Sequence, residues 1–308
     1  MKKNIILITN SFPYLSGEEF LESEMKYWGE TERISLTIMP LNSGEEKREV
    51  SPLIGIDLSV ANLTSKYVLC ASAFVGVFFT FIFYREMFAQ VFKNPGKFKY
   101  AMISLIKFYM YKMALKKVIE RNGSENILFY TYWHTEVTYA LQELKKDYEF
   151  ELITRTHRYD LYRESRVLNY MPLRQQFLTG IDKVYTITES ASQYLVSTYG
   201  FDQGLLAIAR LGVVDLGIKC QPSSGNQFNI VSCSYIVPVK RVEKIIDAIY
   251  LLSLQNRSIN FIWTHLGAGD LKNELERYAG EKLRNINVAF EFLGQLPNHK
   301  IYEFYKKN

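Results

Sequence analysis

The sequence predicts an α/β protein of two domains, each a parallel sheet with helices on both faces. Three observations carry this. Apolar, β-rich runs alternate with helical stretches along nearly the whole chain, as parallel strands joined by crossover helices require. The alternation breaks once, at the Gly-, Pro- and Ser-bearing stretch "VDLGIKCQPSSGNQ" (214–227), and then restarts. A chain of 308 residues, 48% hydrophobic and 22% charged, is long and apolar enough to bury two cores.

The elements follow in order. "KNIILITN" (3–10) is a buried strand; the apolar run is too short for a signal segment, and no small-residue cleavage site follows it. A loop with Pro13 and Gly17 leads to a helix over 19–28, and "ISLTIMP" (34–40) is the second strand. Residues 41–65 are polar and loop-like. Two helical patterns follow over 66–92 and 98–121, broken at "KNPGK". "NILFYTYW" (126–133) is a strand and "TEVTYALQELKKD" (135–147) a helix; "EFELITRTH" (149–157) is a strand that ends on His157. "KVYTIT" (183–188), the helix "ESASQYLVSTYG" (189–200) and "LLAIARLGV" (205–213) complete a first domain, 1–215.

The second domain, 216–308, reads strand (228–235), helix (240–256), strand (259–267), helix (270–283), strand (287–294) and the start of a helix at 298. Doubly wound sheets carry two such halves, so its sheet is small or incomplete. Cys70, Cys220 and Cys233 are odd in number and widely spaced. They give neither a disulfide framework nor a zinc spacing and suit a reducing cytoplasm.

The formal net charge of +5 is concentrated. Nine cations and two carboxylates lie between Arg85 and Arg121, directly after eighteen uncharged residues (67–84). Three readings stand for that apolar run: a buried helix, a helix with one face on a bilayer surface, or a span. A span would place the two halves of the first sheet on opposite sides of the membrane and is disfavoured. The cations suit peripheral contact with an anionic membrane. They alternate with apolar residues at helical spacing and match no nucleic-acid module, so no nucleic-acid partner is expected.

Ligands of open α/β sheets bind beyond the carboxyl ends of strands. His157, Gly17, Lys240 and Arg241 all follow such ends. The Gly17 loop offers backbone N–H groups at a helix N-terminus, where an anion is favoured. Lys240 and Arg241 open a helix, where cations oppose the dipole and call for an anion or for solvent. Each has a plainer reading: His157 as an exposed loop residue, the Lys–Arg pair as a solvated face, Gly17 as a generic loop glycine. Asp160 either orients His157 or caps the next segment. His134 follows a strand and is placed to line the same cleft, His265 is structural, and "GAGDLK" (267–272) is half of a glycine fingerprint or a tight turn. No Asp-x-Asp, phosphate loop, His-Glu-x-x-His or Gly-x-Ser-x-Gly occurs, so no metal site is signalled.

Taken together, these pieces resemble the GT-B glycosyltransferases of retaining family 4, of the capsule, exopolysaccharide and O-antigen type. "RTHRYDLYRE" (155–164) is similar to their Arg-x-His-x-x-Asp-hydrophobic-Tyr segment, and "YMPLRQQFL" with "DKVYTITES" resembles the stretch that follows it. "ARLGV" (209–213) resembles the turn closing their N-terminal domain, and "IVSCSYIVPVKRVEKIIDAI" (230–249) the opening of their donor domain. The resemblance implies two Rossmann-like domains facing across a cleft. It implies metal-independent sugar transfer, with retention, from a nucleotide-diphosphate sugar to a lipid-linked or polysaccharide acceptor. No cofactor is implied, and the location implied is the cytoplasmic face of the cell membrane.

It gives His157, with Asp160, the catalytic place, His157 bonding the donor sugar. Gly17, Lys240 and Arg241 fall at the donor diphosphate. Two departures stand out. The arginine usual before the lysine is Tyr235 and the glycine after it is Arg241. The Glu-x7-Glu region that grips the donor has no counterpart, so the chain is expected to be a truncated member with little or no activity. The alternatives are a non-catalytic membrane- or glycan-associated fragment and another GT-B enzyme such as a sugar-nucleotide epimerase.

Overall fold

A computed structural model describes residues 2–15, 17–28, 33–64, 67–123, 125–213, 215, 217–220, 222–223 and 225–307. The chain divides into two compact units, Met1–Val214 and Asp215–Asn308.

The first unit is built on a seven-stranded parallel sheet. Its strands are β1 (Lys3–Thr9), β2 (Ile34–Pro40), β3 (Gly55–Ile56), β4 (Ile127–Thr131), β5 (Glu151–Thr156), β6 (Lys183–Thr186) and β7 (Leu206–Ile208). The spatial order is β3-β2-β1-β4-β5-β6-β7, with Asn4 of β1 in register with Ser35 on one side and Ile127 on the other. Successive strand residues face opposite sides, so a strand covered on both faces reads as an unbroken apolar run. Ile5 and Leu7 therefore pack with Leu21 and Met25 of α1 (Phe20–Trp28), while Ile6 and Ile8 join the larger core on the other face. That core is closed by α5 (below) and by α6 (Glu136–Leu144).

Between β3 and β4 the helices are α2 (Ser59–Thr64), α3 (Tyr67–Val77), α4 (Phe81–Glu86) and α5 (Phe98–Asn122). α5 buries Ala101, Leu105, Phe108, Leu115 and Val118, a stripe whose members are one or two helical turns apart, with Ile119 beside it. Each large apolar side chain buried there contributes about 1.5–3 kcal/mol. The short α7 (Arg158–Leu161) follows β5, and α8 (Glu189–Tyr194), extended by a π turn to Tyr199, follows β6.

The second unit has a three-stranded parallel sheet, β10-β9-β8, from β8 (Gln227–Cys233), β9 (Asn260–Leu266) and β10 (Val288–Gly294). α9 (Val242–Gln255) and α10 (Lys272–Lys282) pack around Trp263 through Ile246, Ile249, Leu275 and Ala279, and α11 (Asn298–Lys307) ends the chain.

The architecture is the expected one, with local corrections. The helix expected over 66–92 is bent. Its turns tighten after Val77, and Thr80 ends one helix by donating to the Val77 carbonyl (2.7 Å) while capping the next by accepting from Phe83 N–H (3.3 Å). The two pieces meet at 64°, and no single described helix is long and apolar enough to cross a membrane. Residues 41–65, read as loop, hold β3 and α2, both too short to leave a periodic signal. The strand expected over 205–213 narrows to three residues. Of the expected linker, 214, 216, 221 and 224 lie outside the described residues, as do the expected helix start at 66 and Ser16 of the Gly17 loop.

Candidate functional site

The strand order of the first sheet reverses between β1 and β4, since β2 and β3 lie on one side and β5 to β7 on the other. The carboxyl ends at such a reversal splay apart and leave a crevice. A cavity of about 390 Å³ opens there, lined by Thr9, Asn10, Gly17 and Glu18 beside β1 and by Trp133, His134 and Glu136 after β4. Tyr159, Asp160 and Arg166, from the segment after β5, complete it, with Lys107 and Tyr111 of α5.

The loops around it are tied down by buried polar groups. The Glu18 carboxylate accepts from the backbone N–H groups of Asn10 (2.9 Å), Ser11 (2.8 Å) and Phe12 (2.7 Å), and from the Trp133 indole N–H (2.6 Å). One side chain thus satisfies three loop amides and joins the β1 loop to the β4 loop. The Asp160 carboxylate joins that β4 loop to the segment after β5, accepting from His134 N–H and His157 N–H, each at 2.6 Å. Burial, the largest influence, pushes its carboxyl up to about 6, against the pull of those N–H groups and of Arg174.

Arg174 is fully buried. It donates to the carbonyls of His134 (2.8 Å) and Asp160 (2.5 Å) and to His134 Nδ1 (2.8 Å). A guanidinium only donates, so His134 Nδ1 accepts and its proton sits on Nε2. Nε2 is buried with no protein partner, and burial followed by the Arg174 charge holds the ring far below its usual pKa.

His157 is not an exposed loop residue. Its ring is buried against Phe20, Tyr132 and Trp133, with ring centroids 5.7, 5.1 and 4.4 Å away. Neither ring nitrogen has a protein partner. Burial, then the charge of Arg155, lowers its pKa to about 3, so it is neutral at any ordinary pH. It adjoins the cavity through Trp133 rather than lining it. Asp160 holds its backbone, not its ring. Of the two expected roles of Asp160, capping is the one seen.

Gly17 and Asp160 share the cavity. Gly17 has φ +110°, a conformation suited to glycine, with open space where a Cβ would stand. Its N–H is not free, as the sequence suggested, but donates to Glu19 Oε1 (2.9 Å). An anion at this helix end would have to displace a carboxylate.

Lys240 and Arg241 belong to the second unit, and the expectation that they open a helix is corrected. Lys240 closes a single 3₁₀ turn (Pro238–Lys240), and α9 begins after Arg241, whose φ of +55° is left-handed. Lys240 is exposed; Arg241 Nε donates to Glu243 Oε1 (2.5 Å). The half fingerprint "GAG" proves to be a close backbone approach. A Cβ on Gly267 would stand 1.9 Å from the Ser234 carbonyl oxygen, and one on Gly269 2.3 Å from that of Ile236. His265 is structural: Trp263 Nε1 donates to Ser232 Oγ (2.9 Å), which donates to His265 Nδ1 (2.7 Å), and Nε2 reaches the Ser234 carbonyl (3.1 Å).

Sequence reasoning gave no role to Glu18 or Arg174. Arg174 lay inside "YMPLRQQFL", where a lone charge in a stretch bounded by apolar residues was the available signal.

No family model matches the chain, and no curated protein matches it in sequence. Solved structures do match. The lipopolysaccharide outer core galactosyltransferase WaaB, in apo form, shares 11% identity over 98% of this chain and 71% of its own, with a TM-score of 0.58. Anabaena HepE, solved with UDP and glucose, shares 11% over 99% of this chain and 72% of its own, TM-score 0.57. An E. coli trehalose-6-phosphate protein bound with UDP-2-fluoro glucose shares 13% over 99% of this chain and 77% of its own, TM-score 0.60. At such identities the likeness is one of fold: the chain has the GT-B fold, a seven-stranded and a three-stranded parallel sheet in separate units.

Proposed function

We propose that this chain belongs to a glycosyltransferase that moves a sugar from a nucleotide-diphosphate sugar to a lipid-linked or polysaccharide acceptor, with retention and without a metal. The carrying observation is that the fold likeness to WaaB, HepE and the E. coli protein covers 98–99% of this chain, and so both of its units; two of the three were solved with UDP ligands. The cavity at the strand-order reversal of the first unit supports the reading. In this proposal it takes the acceptor: Trp133 and Tyr159 offer rings to a sugar face, and Lys107 and Arg166 offer charge to a phosphate.

In the second unit, the loop after β8 takes the nucleoside diphosphate. Lys240 and Arg241 are both exposed there, and Arg241 joins Lys240 by releasing Glu243. In transfer the bond from the anomeric carbon to the diphosphate oxygen breaks, one to the acceptor hydroxyl oxygen forms, and the hydroxyl proton passes to the departing diphosphate oxygen. Cations placed on the departing diphosphate are where such a reaction gains rate. His157 is neutral with unspent ring nitrogens, the state in which an imidazole can bond a sugar hydroxyl. The cytoplasmic membrane face is the location this chemistry calls for.

The test is calorimetric titration of the full chain with UDP and a panel of nucleotide sugars, followed by transfer of labelled sugar to a lipid extract. Saturable binding weakened about tenfold or more by Lys240→Ala supports the proposal. Absence of binding to every nucleoside diphosphate in the panel overturns it.

A further inference from the structure

α3 carries no charged side chain and α4 begins with an apolar run, yet much of this segment is uncovered. Leu69, Ala73 and Val77, one turn apart, are buried as α3 packs on α5; Met87 and Val91 are buried in the π turn Met87–Val91 that follows α4. On the outer side Phe79 is 84% exposed, Phe81 78%, and Phe88 and Phe92 each 65%. Val68 and Val75 stand out beside them. An exposed apolar face of this extent marks an interaction surface.

Its charge says which partner it fits. Arg85, Lys93 and Lys99 are exposed within or beside it. From 67 to 99 the sole carboxylate is Glu86. That carboxylate is buried and spent on Tyr170 Oη–H (2.5 Å), Leu173 N–H (3.1 Å) and Gln176 Nε2–H (2.7 Å). Aromatic rings with flanking cations and no competing anion are the complement of an acidic lipid surface. A second copy of the same face would bring like charges together.

Topology decides how the bilayer is met. The segment lies between β3 and β4, and β4 pairs with β1 from Asn4 to Ile8. A single crossing would put those paired strands on opposite sides of the membrane. The 64° bend fits a helix pair lying in the interface.

We propose that this face seats the protein on an anionic bilayer, its phenylalanine rings in the headgroup region. The inference stands apart from the transfer reaction, since docking without transfer and transfer without docking are distinct results. The test is flotation of the full chain with phosphatidylcholine vesicles, with and without about one-third phosphatidylglycerol. The expected result is binding to the anionic vesicles, weaker binding to the neutral ones, and partial release by salt.

The triple variant Phe79→Ser, Phe81→Ser, Phe88→Ser changes only exposed side chains and is expected to keep its circular dichroism. Its partitioning should fall by about tenfold or more. Lys93→Gln and Lys99→Gln should each cost about fivefold on anionic vesicles alone. No flotation with anionic vesicles, or unchanged flotation of the triple variant, overturns the proposal. So does concentration-dependent self-association that the triple variant abolishes without any vesicle binding, which would assign the face to a second copy.

Discussion

Replacing His157 by phenylalanine separates two buried titrating groups that pull stability in opposite directions. The folded ring has a pKa of about 3 against an ordinary 6.5, because it is buried and next because Arg155 is close. Between those values the unfolded chain binds more protons, so stability is whole above pH 6.5 and is lost as pH falls toward 3. From pH 7.5 to pH 5 that loss is about 2 kcal/mol, and by pH 3 about 4 kcal/mol. Asp160 works the other way. Its folded carboxyl titrates at about 6 against 3.8, so its contribution is whole below the lower value and is lost as pH rises through the higher. Acidifying from pH 7.5 to 5 returns about 1.4 kcal/mol.

The native chain therefore loses little from this pair, about 0.6 kcal/mol. His157→Phe keeps an aromatic ring in the stack and removes the loss, so it should gain about 1.4 kcal/mol on the same acidification. Asp160→Asn should lose about 2 kcal/mol. Urea unfolding at the two pH values, followed by tryptophan fluorescence, measures both; Trp133 lies 4.4 Å from the ring in question. Equal pH responses of native and His157→Phe protein, within about 0.5 kcal/mol, would refute the burial argument.

Arg174→Met leaves two buried carbonyls and His134 Nδ1 without donors and should cost about 3 kcal/mol or more in the same unfolding assay. Glu18→Ala frees the amides of Asn10, Ser11 and Phe12, whose hydrogen exchange should accelerate about tenfold or more while β6 is unaffected. Gly269→Ala forces a methyl to 2.3 Å from the Ile236 carbonyl oxygen and should destabilise the second unit by about 1–3 kcal/mol, read as faster proteolysis within 225–307.

The sheets were legible because their strands are apolar on both faces: "KNIILIT" has no other stable place than between two helical layers. The bend at Thr80 was not, since one hydroxyl among eighteen uncharged residues decides it through two hydrogen bonds. His157 and Asp160 could be located by their place after β5, but not their state. A histidine between two arginines looks solvated until Phe20, 137 positions earlier in the chain, is seen stacked on it. The same limit hid Glu18 and Arg174, whose partners are mainly backbone groups, with one side chain each, Trp133 and His134, 115 and 40 positions away. The start of α9 was misplaced because Arg241 takes a left-handed conformation that nothing in "VPVKRVEK" signals.

The central claim is tested most directly by amide hydrogen exchange of the full chain with and without a saturating nucleoside-diphosphate sugar. The account predicts protection of the loop after β8, residues 234–241, and no change along α3 and α4. Unchanged exchange in that loop, with protection elsewhere or nowhere, would contradict it.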